Sequence, residues 1–581
     1  MRNLFNSVRL PKIRRNSFPL TFSNDFDTDF GLITPTMMME VLGGEIWQMS
    51  NESFVRSQPL RAPAFTASDV SYHWFFVPNR LIYEDWTKFI VRGDNGDTDY
   101  DKPYCTIDNM VNDYDSMANY QFVTPGSLFD FLNFPTFNDP LSIATQTHAA
   151  ASCKVDMMPF NVYNLVYNEY FRDENLQPEV FIWKKSGSSP NVDAFDDYVL
   201  QIIDEWDADT PEFVKPWHLR HRAWRKDYFT SALPFVQKGT PISLAGTIAG
   251  QPAIPVNFQL SSWQIGDPEG WFLGLDASGG NVTQPLKASS RTSIEHTYGS
   301  NHYHDFGFVD DKSVSAFISL PELQTSVMTI SDLRVALALQ QWFELNARTG
   351  SSRYFEYLLG HFGVRDRDSR LQRPEYIGGY SHSIQISEVE QNSSTDDVTP
   401  QGNLAGRGLG FSANKPLRYR CPEHGWIMCV QSIRPRAVYW QGWPRKYQRW
   451  DAFDYYDQKF DHLSEQAIKQ SEIFFTPGIE PLSKNDPDFG FTPRFSEYRT
   501  ALNELHGNFR ADLQYWVSPR KFKFAPRLNS DFISIDGYPQ YLYEMFAYPG
   551  TNANPAPHFV CHIVNHVKAI RPMSKYATPY L

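Results

Sequence analysis

At 581 residues the chain is long enough for several ordinary domains or for one large domain with long insertions. Its net charge of −13 excludes a protein whose whole surface binds nucleic acid, and confines any such contact to local basic patches. Apolar residues at 41%, aromatics at 15% and 40 prolines describe aromatic-lined β structure with proline-bounded loops rather than a helical bundle.

Residues 1–15 contain Arg2, Arg9, Lys12, Arg14 and Arg15 without an acid, and residues 565–581 contain Lys568, Arg571 and Lys575, again without one. Both termini are therefore basic on an acidic protein, as solvated tails or as surfaces facing a polyanion. Arg2, Arg9 and Pro11 stand where a secretory apolar segment would sit, and no apolar run approaches a membrane span, so neither export by that route nor membrane insertion is expected. Val70 to Val77 is the plainest strand, with Val70, Tyr72, Trp74 and Phe76 alternating on one face and Pro78-Asn79 ending it. Asp97, Asp99 and Asp101 have calcium-loop spacing, but Lys102 occupies the position where an EF-hand needs glycine. Val162, Leu165, Val166 and Tyr170 recur at helical spacing.

From Thr240 to about Leu320 the composition turns to Gly, Ser, Thr, Pro and Asn with scattered aromatics, which predicts a surface insertion. Ser331-Asp332 then caps a long helix stopped by Gly350, with Leu333, Val335, Leu337, Leu339, Trp342, Phe343 and Leu345 almost all round its circumference. Such a helix is expected to be buried on more than one side. A short helix from Tyr354 to Gly360 leads into Arg365-Asp-Arg-Asp-Ser-Arg370, a charge density that predicts a contact surface rather than a catalytic pocket. The cysteines Cys105, Cys153, Cys421, Cys429 and Cys561 form no CxxC pair, which argues against a zinc or disulfide framework and fits a reducing compartment.

Several of these stretches carry a resemblance. Tyr72-His-Trp-Phe-Phe-Val-Pro-Asn-Arg80 with Trp86 resembles the FFVPNRLVW…W segment of the major capsid proteins of microviruses, the small icosahedral single-stranded DNA phages, in particular the gokushovirus-like branch. Asn161 to Leu176 is similar to that family's Y-N-x-I-W-N-x-W-F-R-D-x-N-L helix, with Tyr167 and Tyr170 in place of tryptophans. Arg225 to Pro234, Leu333 to Gly379, Gln401 to Gly406, Phe489 to Arg499 and Arg571-Pro-Met573 continue it in order, so the resemblance runs from about Arg14 to Leu581, minus the insertion. Met39 to Glu45 departs from the family's DEVLPGD, which bears on the subfamily rather than the family.

The resemblance implies a mainly β fold, an eight-stranded antiparallel jelly roll with long loop insertions and several helices. It divides the chain into a basic arm at 1–20 and a single capsid domain at 21–581, with the insertion at about 240–320 as candidate threefold protrusion. The implied function is structural: self-assembly into a T=1 icosahedral homo-oligomer in the host cytoplasm, enclosing circular single-stranded DNA in the virion. Implied partners are a small basic DNA-packaging protein, a minor pilot-type protein and a bacterial surface receptor. No cofactor is expected, bound divalent cations aside. On this reading Arg2, Arg9, Lys12, Arg14, Arg15, Lys568, Arg571 and Lys575 are candidate DNA contacts. Arg365, Asp366, Arg367, Asp368, Arg370, Arg373 and Glu375 are candidate inter-subunit or intra-loop ion pairs. Exposed pairs contribute only about 0–1 kcal/mol each, so aromatics must carry most of the affinity.

A search for chemistry returns little: there is no GxSxG, GxxxxGK[ST] or HExxH. The pairs His218/His221 and His302/His304 lack a third metal ligand, His424 beside Glu423 lacks a nucleophile, and Gly406 to Gly410 reads as a flexible turn. Tyr439, Trp440, Trp443 and Trp450 suit core and interface packing, or the cleft of a secreted β-rich carbohydrate-active enzyme, the competing class.

Overall fold

A computed structural model of the chain describes residues 15–66, 68–106, 125–136, 154–184, 217–238, 330–349, 353–390, 392, 404–461, 465–477, 486–535, 540–548 and 557–576, together with the strands between 254 and 318. The chain divides into two compact units, Met1–Lys238 with Glu344–Leu581, and Gly239–Phe343.

The first unit is organised by one antiparallel sheet whose ten strands are β1 (Asn16–Pro19), β2 (Phe22–Thr28), β3 (Thr34–Val41), β4 (Ile46–Ser57), β5 (Ser68–Pro78), β6 (Glu375–Glu390), β7 (Leu404–Ala413), β8 (Leu417–Arg420), β9 (Gly425–Pro435) and β10 (Phe559–Arg571). Their order is β1-β10-β4-β7-β6-β5-β9-β3, with β2 also on β10 and β8 also on β4. The mainly β expectation holds; among the described residues ten strands join this sheet, with β1 and β2 sharing β10 as neighbour and β7 and β8 sharing β4.

Strand β5 shows how the sequence directs the layers. Its even-numbered residues Val70, Tyr72, Trp74 and Phe76 are all fully buried in one core, where the sheet curls over Trp47, Met49, Val55, Ile427, Cys429 and Ile563. Its odd-numbered residues Phe75 and Val77 enter a second core on the other face, against Phe160, Val162, Tyr163 and Val166 of helix α1 (Met158–Val166). Each fully buried side chain of this size stabilises by roughly 1.5–3 kcal/mol, so a strand buried on both faces is a main contributor to stability. Helix α1 runs into a π-helical turn, Tyr167–Phe171, which presents Tyr170 so that its hydroxyl donates to the Pro374 carbonyl at 2.5 Å. A third core gathers Tyr228, Phe229, Ile468, Phe489, Phe522 and Phe532.

Gly406 to Gly410 lies inside β7 and is not a turn. A Cβ on Gly406 would stand 2.5 Å from the Ala62 carbonyl oxygen, and one on Gly408 would stand 2.7 Å from Ser57 Oγ. These glycines let another stretch of chain cross the strand.

In the second unit, the described residues between 254 and 318 are all in β strands. Ile254–Gln259 pairs with Ser313–Ile318, Ile254 opposite Ile318, so the first and last of these strands close on each other. Pro285–Ser290, Ser293–Tyr298 and Asn301–Gly307 form a sheet with Gly270–Trp271. The predicted insertion at 240–320 falls within this unit.

Candidate assembly and nucleic-acid surfaces

Of the candidate DNA contacts, Arg2, Arg9, Lys12 and Arg14 lie outside the described residues. The others converge. Strand β1 pairs with the C-terminal end of β10, Asn16 opposite Arg571 and Pro19 opposite Lys568, and Asn16 Nδ2 donates to the Met573 carbonyl at 2.8 Å. Lys568 and Arg571 on β10, and Arg15 and Lys575 within two residues of the Asn16–Met573 contact, are thus brought to the same end of the sheet although they are far apart in sequence. They are not equivalent. Lys568 and Lys575 are exposed, whereas Arg571 sits 3.0 Å from Glu45, a carboxylate with no exposed surface, and lies over the Trp47 ring. Glu45 also accepts from Trp47 Nε1 at 2.7 Å. Arg571 therefore neutralises a buried charge, a task that competes with binding phosphate.

The charged strip after the second helix divides in the same manner. Arg373 is buried, lies 3.6 Å from Asp368 and 3.8 Å from Glu169, and stacks between Tyr170 and Phe355. Glu375 accepts from the Tyr419 hydroxyl at 2.7 Å, which helps push that phenol well above its usual range after burial itself. Arg373, Asp368 and Glu375 are committed within the subunit. Arg370 reaches Asp366 at 3.4 Å across one turn while remaining exposed, and Arg365 and Arg367 are exposed with no ion pair among the described residues.

The long helix corrects an expectation. Helix α2 (Ile330–Thr349) forms where the caps and the glycine predict it, but it is not buried: Val335 is 56% exposed, Leu337 55% and Trp342 43%. Its last turn is held by buried Asn346 and Ala347 and by an Arg348 ion pair to Glu465. Apolar periodicity records a demand for cover and cannot say whether the same chain supplies it. Helix α3 (Tyr354–Phe362) follows, stopped by Gly363 in the left-handed region, and buries no side chain fully.

The aromatic cluster lines a cavity of about 630 Å³ with Tyr439, Trp440, Trp443, Tyr447 and Phe475 on its walls. Its carboxylates are Glu472, 3.0 Å from Arg445 and accepting from the Tyr228 hydroxyl at 2.9 Å, Glu497, 3.9 Å from Arg445 and 3.3 Å from Arg449, and Glu504, 3.0 Å from Lys446. Burial raises Glu472 above the usual range. All three acids are paired with basic side chains rather than presented to a substrate. Among the described residues no group of three or more His, Cys, Asp or Glu side chains is placed to hold a metal.

Residues 6–581 match the family described as Capsid protein (F protein). The chain belongs to this capsid family. It is 31% identical to the capsid protein VP1 of Chlamydia phage 1, over all of this chain and 98% of that protein. It is 28% identical to the capsid protein VP1 of Bdellovibrio phage phiMH2K, over 91% of this chain and 90% of that protein. With capsid protein VP1 of Spiroplasma virus 4 it shares 27%, over 87% and 85%. The capsid subunit is a structural, self-assembling component of the virion, and the carbohydrate-active alternative is set aside. The resemblance drawn from the FFVPN, α1 and α2 motifs is thereby upheld.

Sequence reasoning missed two features. The first is the Glu45–Arg571 pair, which joins residues at opposite ends of the chain and leaves no local signal. The second is the exposed segment Trp450 to Tyr456, whose dense aromatics resemble core in composition.

Proposed function

We propose that this capsid subunit builds a T=1 icosahedral shell, assembled in the host cytoplasm, around a circular single-stranded DNA genome, with its basic termini directed at DNA phosphates. The observation that carries this reading is the pairing of β1 with β10, which brings Arg15, Lys568 and Lys575 to the same end of the sheet in an otherwise acidic chain. Each subunit brings a net charge of −13 toward a polyanion. The few basic groups at that end cannot offset it, so a small basic packaging protein and bound divalent cations supply the remaining positive charge. A minor pilot-type protein completes the particle, and the 240–320 insertion is directed at a bacterial surface receptor.

Removing residues 1–15 tests the DNA role, since that segment precedes β1 and leaves the Glu45–Arg571 pair in place. Particles of the truncated protein are expected to form but to contain less DNA, measured by the ratio of absorbance at nucleic-acid and protein wavelengths. Unchanged DNA content would remove the arm from the genome-binding surface.

A further inference from the structure

Two surfaces of the first unit stand out because they expose what folding normally hides. One is helix α3 with the strip that follows it. Phe362 is 66% exposed and Val364 50%, beside Tyr354, Leu359 and the exposed guanidinium groups of Arg365, Arg367 and Arg370. The other is the segment Trp450-Asp-Ala-Phe-Asp-Tyr-Tyr-Asp457, in which Trp450 is 80% exposed and Phe453 61%, between the carboxylates of Asp451, Asp454 and Asp457. Its turn is fixed from within: Asp454 accepts from the backbone N–H of Trp450 at 3.1 Å and of Asp451 at 3.0 Å. The aromatics are therefore presented in a set geometry, which lowers the ordering cost of docking.

The two surfaces complement each other in both respects. Each has an apolar centre; the one carries the guanidinium groups of Arg365 and Arg367 beside the Arg370–Asp366 pair, where the other carries the exposed carboxylates of Asp451 and Asp457. We propose that the α3 strip, 354–370, of one subunit docks on the Trp450–Asp457 segment of a second copy. Charge decides against the other occupant that exposed aromatics invite, a single-stranded nucleic acid stacking its bases on Trp450 and Phe453. The exposed carboxylates of Asp451 and Asp457 would repel its phosphates, and the cations beside the rings are engaged, Arg449 with Glu497 at 3.3 Å and Arg494 with the Phe453 carbonyl at 3.4 Å. Because the two patches differ, the contact is heterologous, and its repetition around a rotation axis closes a ring, as a shell requires. This inference rests on the shell reading and specifies which faces meet.

The test uses full-length protein in assembled particles. One population carries Arg367→Cys and the other Asp457→Cys, both in a Cys153→Ser background; the remaining native cysteines Cys105, Cys421, Cys429 and Cys561 are all buried, so a short bismaleimide reports on the introduced thiols. Mixed particles are expected to give covalent dimers that neither population gives alone. In parallel, the double reversal Arg365→Glu with Arg367→Glu is expected to abolish particles, and Asp451→Arg with Asp457→Arg in the same chain to restore them. The substituted side chains are exposed, and an unchanged thermal midpoint of the unassembled subunit separates loss of contact from loss of fold. Two results overturn the proposal: mixed particles without the covalent dimer, or reversed particles that assemble like the unaltered protein. Trp450→Ala particles that assemble normally but lose DNA would overturn it in favour of the nucleic acid. If the unaltered protein forms no particles at all, the shell reading itself fails, a distinct outcome.

Discussion

Single residues in this subunit show how strongly burial governs chemistry. Burial, with Arg222 and Arg434 nearby, lowers His73 from 6.5 to about 3, so folded His73 stays neutral where the unfolded chain would take a proton. The unfolded state therefore binds more protons between those two values, and the stabilising contribution, complete above pH 6.5, is lost as pH falls toward 3. After allowance for partial exposure this amounts to roughly 1–3 kcal/mol. His73→Asn is expected to show a smaller drop in thermal midpoint than the unaltered protein between about pH 7.5 and about pH 4.5. Equal drops would assign the acid sensitivity to other groups. The thiols tell a similar story: burial raises Cys421, Cys429 and Cys561 to about 12, which makes them packing residues rather than nucleophiles. Arg520, fully buried, donates to the Phe532 carbonyl at 2.6 Å and to the Tyr439 hydroxyl at 3.1 Å while lying among Trp224, Phe522 and Phe532. No charge-pattern argument could have found a cation seated that way.

At the scale of elements, the strands that read clearly are those whose pattern has one explanation. Val70 to Val77 keeps apolar residues at every even position and adds Phe75 and Val77 on the other face because β5 packs against two cores, and its bounding proline agrees with the observed Ser68–Pro78. Strand β7 was illegible for a complementary reason. Its glycines resemble a turn until the crossing chain at Ala62 and Pro63 is seen. Gly406→Val would force a side chain into that crossing, 2.5 Å from a backbone oxygen that has no rotamer to escape by. The expected loss is about 2–4 kcal/mol, read as a lower midpoint of denaturant unfolding with an unchanged slope. A neutral result would show that the 60–63 segment gives way freely. Helix α2 was placed correctly by its caps and misjudged in its cover, since its apolar girdle remains exposed on the single subunit.

For the whole molecule, the separate compact unit at Gly239–Phe343 gives a further expectation. Within the 240–320 insertion the paired strands Ile254–Gln259 and Ser313–Ile318 set Ile254 opposite Ile318, a closed excursion of the chain that invites replacement. A chain with that insertion replaced by a short glycine-serine linker is expected to assemble shells and to fail at host attachment, scored by particle yield and by adsorption to cells. A failure to form shells would assign the insertion to the shell itself.

Composition excluded a general nucleic-acid binder, local periodicity located β5, α1 and α2, and family-like motifs along nearly the whole chain were enough to identify a capsid subunit. These properties are legible because they depend on neighbours within a few positions, or on residue order alone. Tertiary structure decided the rest. It paired Asn16–Pro19 with Lys568–Arg571 across β1 and β10 and withdrew Arg571 to serve Glu45. It turned Arg373 inward while leaving Arg365 and Arg367 outside, and it left the rings of Trp450 and Phe453 in solvent. The physical reason is common to all of these. Whether a charge or an aromatic ring is internal or available depends on groups hundreds of positions away, and no local pattern encodes that distance.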